Sequence, residues 1–214
     1  MDYEYKIDVD GVEYSQEDGS LISGSMHQPL FDKFGAGNAC VSELDISFYP
    51  SEKPSRMASI TVFSRIFGEN EWTKLGKFYA DTRKTERLQG GEVLHIHAYD
   101  AMLKAEQIYL QDENVDVWPK TVTDVVEDIC QKIGVPLDVR TELNSDYMVP
   151  YPNDYTMREI LCHVAAAHAG NWIITKAEKL LLVPLFGKKP TISGVLGTDD
   201  GKSIVFGKGV MLLV

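Results

Sequence analysis

Between residues 41 and 99 the apolar side chains repeatedly fall on every second position. In "VSELDISFY", Leu44, Ile46 and Phe48 alternate with Glu43, Asp45 and Ser47. In "RMASITVFSRI", Ala58, Ile60 and Val62 alternate with Ser59 and Thr61. Successive side chains of a β-strand point to opposite faces, so a period of two buries one face of a sheet and wets the other. The first half of the chain is therefore read as half-buried sheet. Two hairpins are signalled. In "YKIDVDGVEY", Asp10-Gly11 separates two short extended runs, the residue pair that a type I′ turn favours. "GKFYADTRKTERL" and "EVLHIHAYD" flank Gln89-Gly90-Gly91.

The segment "HIHAYDAMLKAE" raises the question of chemistry. His95 and His97 stand at i, i+2 on a strand, and Asp100 follows three residues later. Two such histidines can share a metal ion if a further ligand converges on them. Strand alternation supplies the plainer reading: Leu94, Ile96 and Ala98 face one way, and His95, His97 and Tyr99 form the less buried face. Asp100 has a local task as N-cap of the helical run "AMLKAEQIYL", its carboxylate accepting a free backbone N–H. No metal site is assigned to these three residues.

The second half changes character at "DENVDVWP", where a boundary is placed. In "TVTDVVEDICQKIGV", Val125, Val126, Ile129 and Ile133 form a helical stripe that Gly134 stops. After the connection "MVPYPNDY", Thr156 and Glu159 form a capping box that opens a second helix. Ile160, Leu161 and Val164 are its apolar side, and Gly170 is expected to end it. "NWIITKAEKLLLVPL" reads as a strand, a turn and a returning strand. A further strand, "KSIVFGKGVMLLV", ends on apolar residues with no polar tail. The expectation drawn from that ending is a truncated chain.

Motifs for catalysis are weak. "FGAGNAC" holds Gly35-x-Gly37, but Cys40 stands where a dinucleotide fingerprint needs a third glycine, and no strand–helix unit surrounds it. Cys162 and His163 are adjacent on a helix and diverge, which is poor geometry for a nucleophile and its base. His163 and His168, five apart, also diverge. No HExxH, GxSxG or GxxxxGK[ST] pattern occurs. The reading is not an enzyme: no catalytic, cofactor-binding or metal residues are assigned and no cofactor is expected. Cys40, Cys130 and Cys162 are odd in number and lack CxxC spacing, which argues against a disulfide framework or a zinc ribbon.

Net charge is −11, and seven of the first eighteen residues are Asp or Glu against one Lys. Without a basic stripe to hold phosphates, tight nucleic-acid binding is not expected. No apolar run approaches the ~20 residues that span a bilayer. The acidic N-terminus is unlike a signal peptide, so synthesis and folding are expected in the cytoplasm.

Six blocks, "GNACVSELDISFYP", "RMASITVFSRI", "EWTKLGKFYADTRKTE", "LHIHAYDAMLKAEQIYL", "WPKTVTDVVEDICQKIGV" and "YTMREILCHVAAAHAGNWIIT", resemble in order and spacing the tail proteins of phages and prophages of Gram-positive hosts. The family is the phage tail hub, or tail-tip baseplate hub, similar also to the N-terminal hub part of tail-associated lysins. The resemblance runs from about residue 35 to the end. It implies an α+β, mostly β fold: a β-barrel-like hub domain over 1–112, a small helix–helix–hairpin α+β domain over 115–186, and at 187–214 a linker with the first strands of a second, truncated barrel. It implies a structural protein of the virion tail, assembled in the bacterial host cytoplasm. Three full-length chains would close a hub ring that mates with the tail tube. Distal tail protein, tail tube and tape measure are the implied partners. In the lysins the lytic centre lies downstream of the hub, and no residue here matches it. The alternatives are the N-terminal scaffold of a tail-associated cell-wall hydrolase, or a wall- or sugar-binding module. Exposed clustering of Trp118, Tyr151, Tyr155 and Trp172 would favour the latter, although such residues more often pack inward.

Overall fold

A computed structural model describes residues 2–30, 35–88, 91–110 and 117–185, together with short strands at 196–197, 203–207 and 210–213. In chain order the strands are β1 (Tyr3–Val9), β2 (Val12–Ser15), β3 (Leu21–His27), β4 (Asn38–Ala39), β5 (Glu43–Phe48), β6 (Ser59–Ile66), β7 (Thr73–Leu88) and β8 (Gly91–Tyr99). A 3-10 helix, Ala101–Glu106, and β9 (Lys120–Thr121) lead to α1 (Val122–Ile133). β10 (Met148–Val149), α2 (Met157–Ala167), β11 (Gly170–Ile174) and β12 (Leu180–Pro184) follow. β13 (Leu196–Gly197), β14 (Ser203–Gly207) and β15 (Val210–Leu213) form a separate antiparallel sheet. The strand expected from Ser203 is present; most of the 187–202 linker, and Val214, lie outside the described residues.

The alternating segments build one seven-stranded antiparallel sheet in the order β2-β1-β6-β7-β8-β5-β3. Its inward residues are those the alternation selects: Leu44, Ile46 and Phe48 on β5, Ala58 and Ile60 at β6, and Leu94, Ile96 and Ala98 on β8, all buried in one core. Asp10 and Gly11 have φ of 52° and 91°, the left-handed pair of a I′ turn, and Asp8 Oδ1 accepts from Gly11 N at 2.9 Å. The expected β7–β8 hairpin exists, with Gln89-Gly90 of its turn outside the described residues.

The two edge strands are consecutive in sequence. Residues 16–20 carry the chain from β2, paired to β1, across to β3, paired to β5. Gln16 N donates to Tyr5 O on one side, and Tyr49 N donates to Ser20 O on the other. The sheet curls until its edges approach, but among the described residues no ladder joins β2 to β3. It is barrel-like and open.

A second core lies under α1, α2 and the β11–β12 hairpin. Thr121 caps α1 and Gly134 ends it at φ 75°. Thr156 and Glu159 form the expected capping box of α2. The end of α2 differs from expectation: the helix stops at Ala167, Ala169 takes a left-handed φ of 51°, and Gly170 is the first residue of β11. Gly170 is glycine because of packing, since a Cβ there would sit 2.8 Å from Val183 O.

The two cores interlock. β4 pairs in parallel with β11, so the strap around Gly35-x-Gly37 completes the sheet of the second core. Gly37 N donates to Gly170 O and Cys40 N to Trp172 O, each at 2.9 Å. A Cβ at Gly37 would lie 3.0 Å from the Ala166 side chain, so this glycine permits close approach to α2. Ala101, Met102, Ala105 and Tyr109 also pack in the second core, on the near side of the expected boundary at 112–115. Residues 111–116 themselves lie outside the described residues.

Candidate functional site

His95 and His97 sit on the half-buried outer face of β8, each opposite a residue of β5. His95 Nδ1 is 2.7 Å from Ser47 Oγ, and His97 Nδ1 is 2.8 Å from Asp45 Oδ1. Glu86 Oε2 lies 3.3 Å from His95 Nε2, within ion-pair range but without hydrogen-bond geometry. Asp100 does not join them. Its carboxylate is buried, Oδ1 accepting from Met102 N at 2.9 Å and Oδ2 from Ser42 N at 2.8 Å. It caps the 3-10 helix as expected and also fastens the lead-in to β5, which sequence spacing could not show. Burial pushes its carboxyl up to about 6, against the opposing pull of these hydrogen bonds and of Arg158. Among the described residues no three His, Cys, Asp or Glu side chains gather as a metal-binding group.

The three cysteines are free thiols, Cys40 and Cys130 buried. Burial, aided by Glu127, pushes the Cys130 thiol up to about 11, which leaves it protonated and unreactive. His163 and His168 diverge on α2. His163 meets the Tyr155 ring at 5.4 Å. His168 Nε2 accepts from Asn144 N at 2.9 Å while Nδ1 faces Val164 O at 2.8 Å.

A concave surface lies on the second unit, where β10 and the Pro- and Tyr-rich connection run over α2. It is a groove of about 670 Å³ lined mainly by apolar side chains, with Asp146 and His163 as its polar members. The rim is built locally. Met148 and Val149 pair with Thr121 and Lys120 in the β9–β10 ladder, and Tyr147 O accepts from Val122 N. Tyr155 N closes a turn on Pro152 O, and Tyr109 N donates to Tyr155 O. Tyr147, Tyr151 and Tyr155 are 40%, 50% and 46% exposed. Each is held by an edge contact with a second ring: His168 at 5.2 Å, Trp118 at 5.9 Å and His163 at 5.4 Å. Tyrosines fixed this way present large apolar area with little rotamer freedom left to lose.

Of the four aromatics weighed for a wall-binding surface, Tyr151 and Tyr155 are exposed and Trp118 is half-buried. Trp172 is a core residue whose Nε1 donates to Leu161 O at 2.9 Å. Tyr147 and Met148 were missed. The "MVPYPNDY" run announced a connection, and only the fold reveals that it overhangs α2.

No protein-family model and no curated protein matches this sequence. Solved structures do match. The 43 kDa tail protein of prophage MuSo2 from Shewanella oneidensis is 14% identical, with a TM-score of 0.61 over 89% of this chain and 58% of that one. The tail protein from Neisseria meningitidis MC58 is 12% identical, with a TM-score of 0.59 over 92% of this chain and 55% of that one. The fold, mostly β with one large antiparallel sheet and few helices, is therefore that of prophage tail proteins. The chain spans less than two thirds of the length of either. No helix among the described residues is long and apolar enough to cross a membrane.

Proposed function

We propose that this chain is a structural component of a phage or prophage tail, placed at the tail tip as part of a trimeric hub ring that mates with the tail tube. The observation that carries this reading is the fold shared with two prophage tail proteins over about nine tenths of the chain. The proposal keeps the division into a hub domain at 1–112, a small α+β domain at 115–186 and the opening of a second barrel at 187–214. Its partners are further copies of itself, the distal tail protein, the tube and the tape measure, joined as the virion tail assembles in the host cytoplasm. The role is scaffolding, not catalysis.

Physical features support it. A net charge of −11 lowers the affinity of the surface for DNA, as a conduit requires. Beyond its pairing with β6, β7 continues as Asp81–Leu88, exposed throughout and, among the described residues, paired only with β8, a ribbon whose free edge can add a strand. Among the described residues the edges of β2 and β3 are likewise unpaired with each other. Light scattering on the whole protein, combined with electron microscopy of tails carrying a labelled copy, tests the reading. A trimer, with label at the tube end, is expected. A monomeric whole protein absent from tail particles overturns it, and peptidoglycan cleavage by this chain overturns the scaffolding role.

A further inference from the structure

We propose that the tyrosine groove of the second unit receives the exposed loop Pro50–Met57 of a second copy of this chain, making a head-to-tail contact. The inference deepens the ring reading above, and rests on it for its biological setting only.

The groove specifies its occupant by shape and charge. Its floor and walls are Tyr, Pro, Met and Val side chains, with few polar groups to satisfy the hydroxyls of a sugar. Ordered aromatic walls suit an extended segment carrying proline and other apolar side chains. Asp146 lines the groove, Asp154 is exposed in the chain next to the lining residue Tyr155, and neither makes an ion pair among the described residues. Two open carboxylates beside apolar walls call for a segment that brings cations with its apolar groups.

The loop between β5 and β6 has that composition. It reads Pro50-Ser51-Glu52-Lys53-Pro54-Ser55-Arg56-Met57, and Met57 is 51% exposed. Lys53 and Arg56 are exposed and make no ion pair among the described residues, while Glu52 offsets one of the two charges. The loop is held in shape from behind. Ser55 N and Ser59 N donate to the Asp10 carboxylate at 3.1 and 2.8 Å, and an Arg83 guanidinium nitrogen donates to Pro54 O at 2.9 Å. Ser51 N donates to Tyr14 Oη at 3.3 Å. These bonds use backbone groups and leave the Lys53, Arg56 and Met57 side chains outward, so little ordering remains for association to impose. Loop and groove lie on different units of the chain. Each copy can then offer its loop to one neighbour and its groove to another, the head-to-tail arrangement that ring closure requires.

The test uses the isotopically labelled 214-residue chain and a synthetic peptide of residues 49–57. Saturable NMR shifts confined to Tyr147, Met148, Tyr151, Tyr155 and α2 are expected. Asp146→Lys should weaken binding about ten-fold, and a peptide with Lys53→Glu and Arg56→Glu should bind the wild type about ten-fold less and regain affinity on the Asp146→Lys chain. Sedimentation of the chain itself should show association that Lys53→Glu with Arg56→Glu weakens; these exposed side chains make no hydrogen bond or ion pair among the described residues, and an unchanged thermal transition would show that folding is intact. Absence of groove shifts at millimolar peptide overturns the proposal. So does binding indifferent to both charge reversals, or groove shifts from an N-acetylglucosamine tetramer with none from the peptide. Tail particles in which the whole protein assembles equally well with Lys53→Glu and Arg56→Glu overturn this contact while leaving the tail role standing; a wild-type protein absent from tails overturns the tail role whatever the peptide does.

Discussion

Asp100 gives the fold a pH dependence opposite to that of most carboxylates. It is 3% exposed, and its two oxygens accept from Ser42 N and Met102 N. Burial raises its folded-state pKa to about 6 from an ordinary value of 3.8. Between those values the folded chain holds a proton that the unfolded chain has lost. The group's stabilising contribution is therefore fully present below about pH 3.8 and is lost as the pH rises through about 6. A shift of about two units at ~1.4 kcal/mol each makes the whole change roughly 3 kcal/mol. Asp100→Asn removes the titration. Its amide oxygen can accept one of the two N–H groups, and its NH₂ must face the other, a loss of about 1–3 kcal/mol. Near pH 4 the variant should be the weaker protein, and by pH 7.5 the wild type's advantage should have fallen by roughly 2–3 kcal/mol, which closes or reverses the gap. Urea unfolding of both proteins across that range measures the difference directly. Asp10, Asp128 and Glu178, held below the usual carboxylate range, add a slope of the opposite sign at low pH, but they are common to both proteins and cancel. Parallel stability curves would refute the reasoning, because they would mean that Asp100 is not desolvated on folding.

Thr156→Ala should lower stability by about 1 kcal/mol through loss of the bond from Glu159 N, read as a shift in denaturant midpoint; an unchanged midpoint would place the start of α2 elsewhere. Gly170→Ala should destabilise markedly, since the new Cβ meets the backbone oxygen of Val183, and thermal unfolding would reveal it. Elemental analysis of untagged protein should find less than one transition-metal ion per chain, and zinc that disappears with His95→Ala and His97→Ala would overturn that expectation.

The sheet was legible because alternation is a local property: Leu44, Ile46, Phe48, Ile60 and Ile96 each carry their own evidence, and the core uses all of them. Caps were legible for the same reason, at Asp100 and Thr156, where three or four adjacent residues hold the whole motif. What escaped was long-range. Asn38 and Asn171 are 133 positions apart, yet Asn38 N donates to Asn171 Oδ1 at 2.9 Å. A two-residue strand such as β4 has no periodicity to detect, and its glycines read equally well as a plain turn. The groove was hidden likewise, because Tyr147 and Tyr151 become neighbours of α2 only once β9 and β10 pair. Even the expected end of α2 at Gly170 failed for a tertiary reason: the glycine answers to Val183 across a ladder, and Ala169 absorbs the left-handed turn.

That interlocking bears on whether the helical unit can stand alone. Its core includes Met102 and Tyr109, at 0% and 2% exposure, and Ala39, all from before residue 115. Burying side chains the size of Met102 and Tyr109 contributes about 1.5–3 kcal/mol each, so a fragment of residues 115–186 forfeits roughly 3–6 kcal/mol. A domain of about 70 residues has a total stability of only about 4–11 kcal/mol. The fragment also loses the β4 ladder on β11, the bond from Arg158 Nε to Ala39 O, and the pairing of Lys74 and Lys77 with Glu178. Residues 115–186 should therefore show poor NMR dispersion and no cooperative thermal transition. A fragment beginning at Asp100 recovers Met102, Tyr109 and the 3-10 helix, and should gain a transition well below that of the 214-residue chain, because β11 still lacks its parallel partner. If residues 115–186 alone unfold cooperatively at the temperature of the whole chain, then β4 and the 3-10 helix are ornaments on a self-sufficient domain. In that case the two cores are coupled only by the covalent chain, and the helical unit is free to tilt on the sheet.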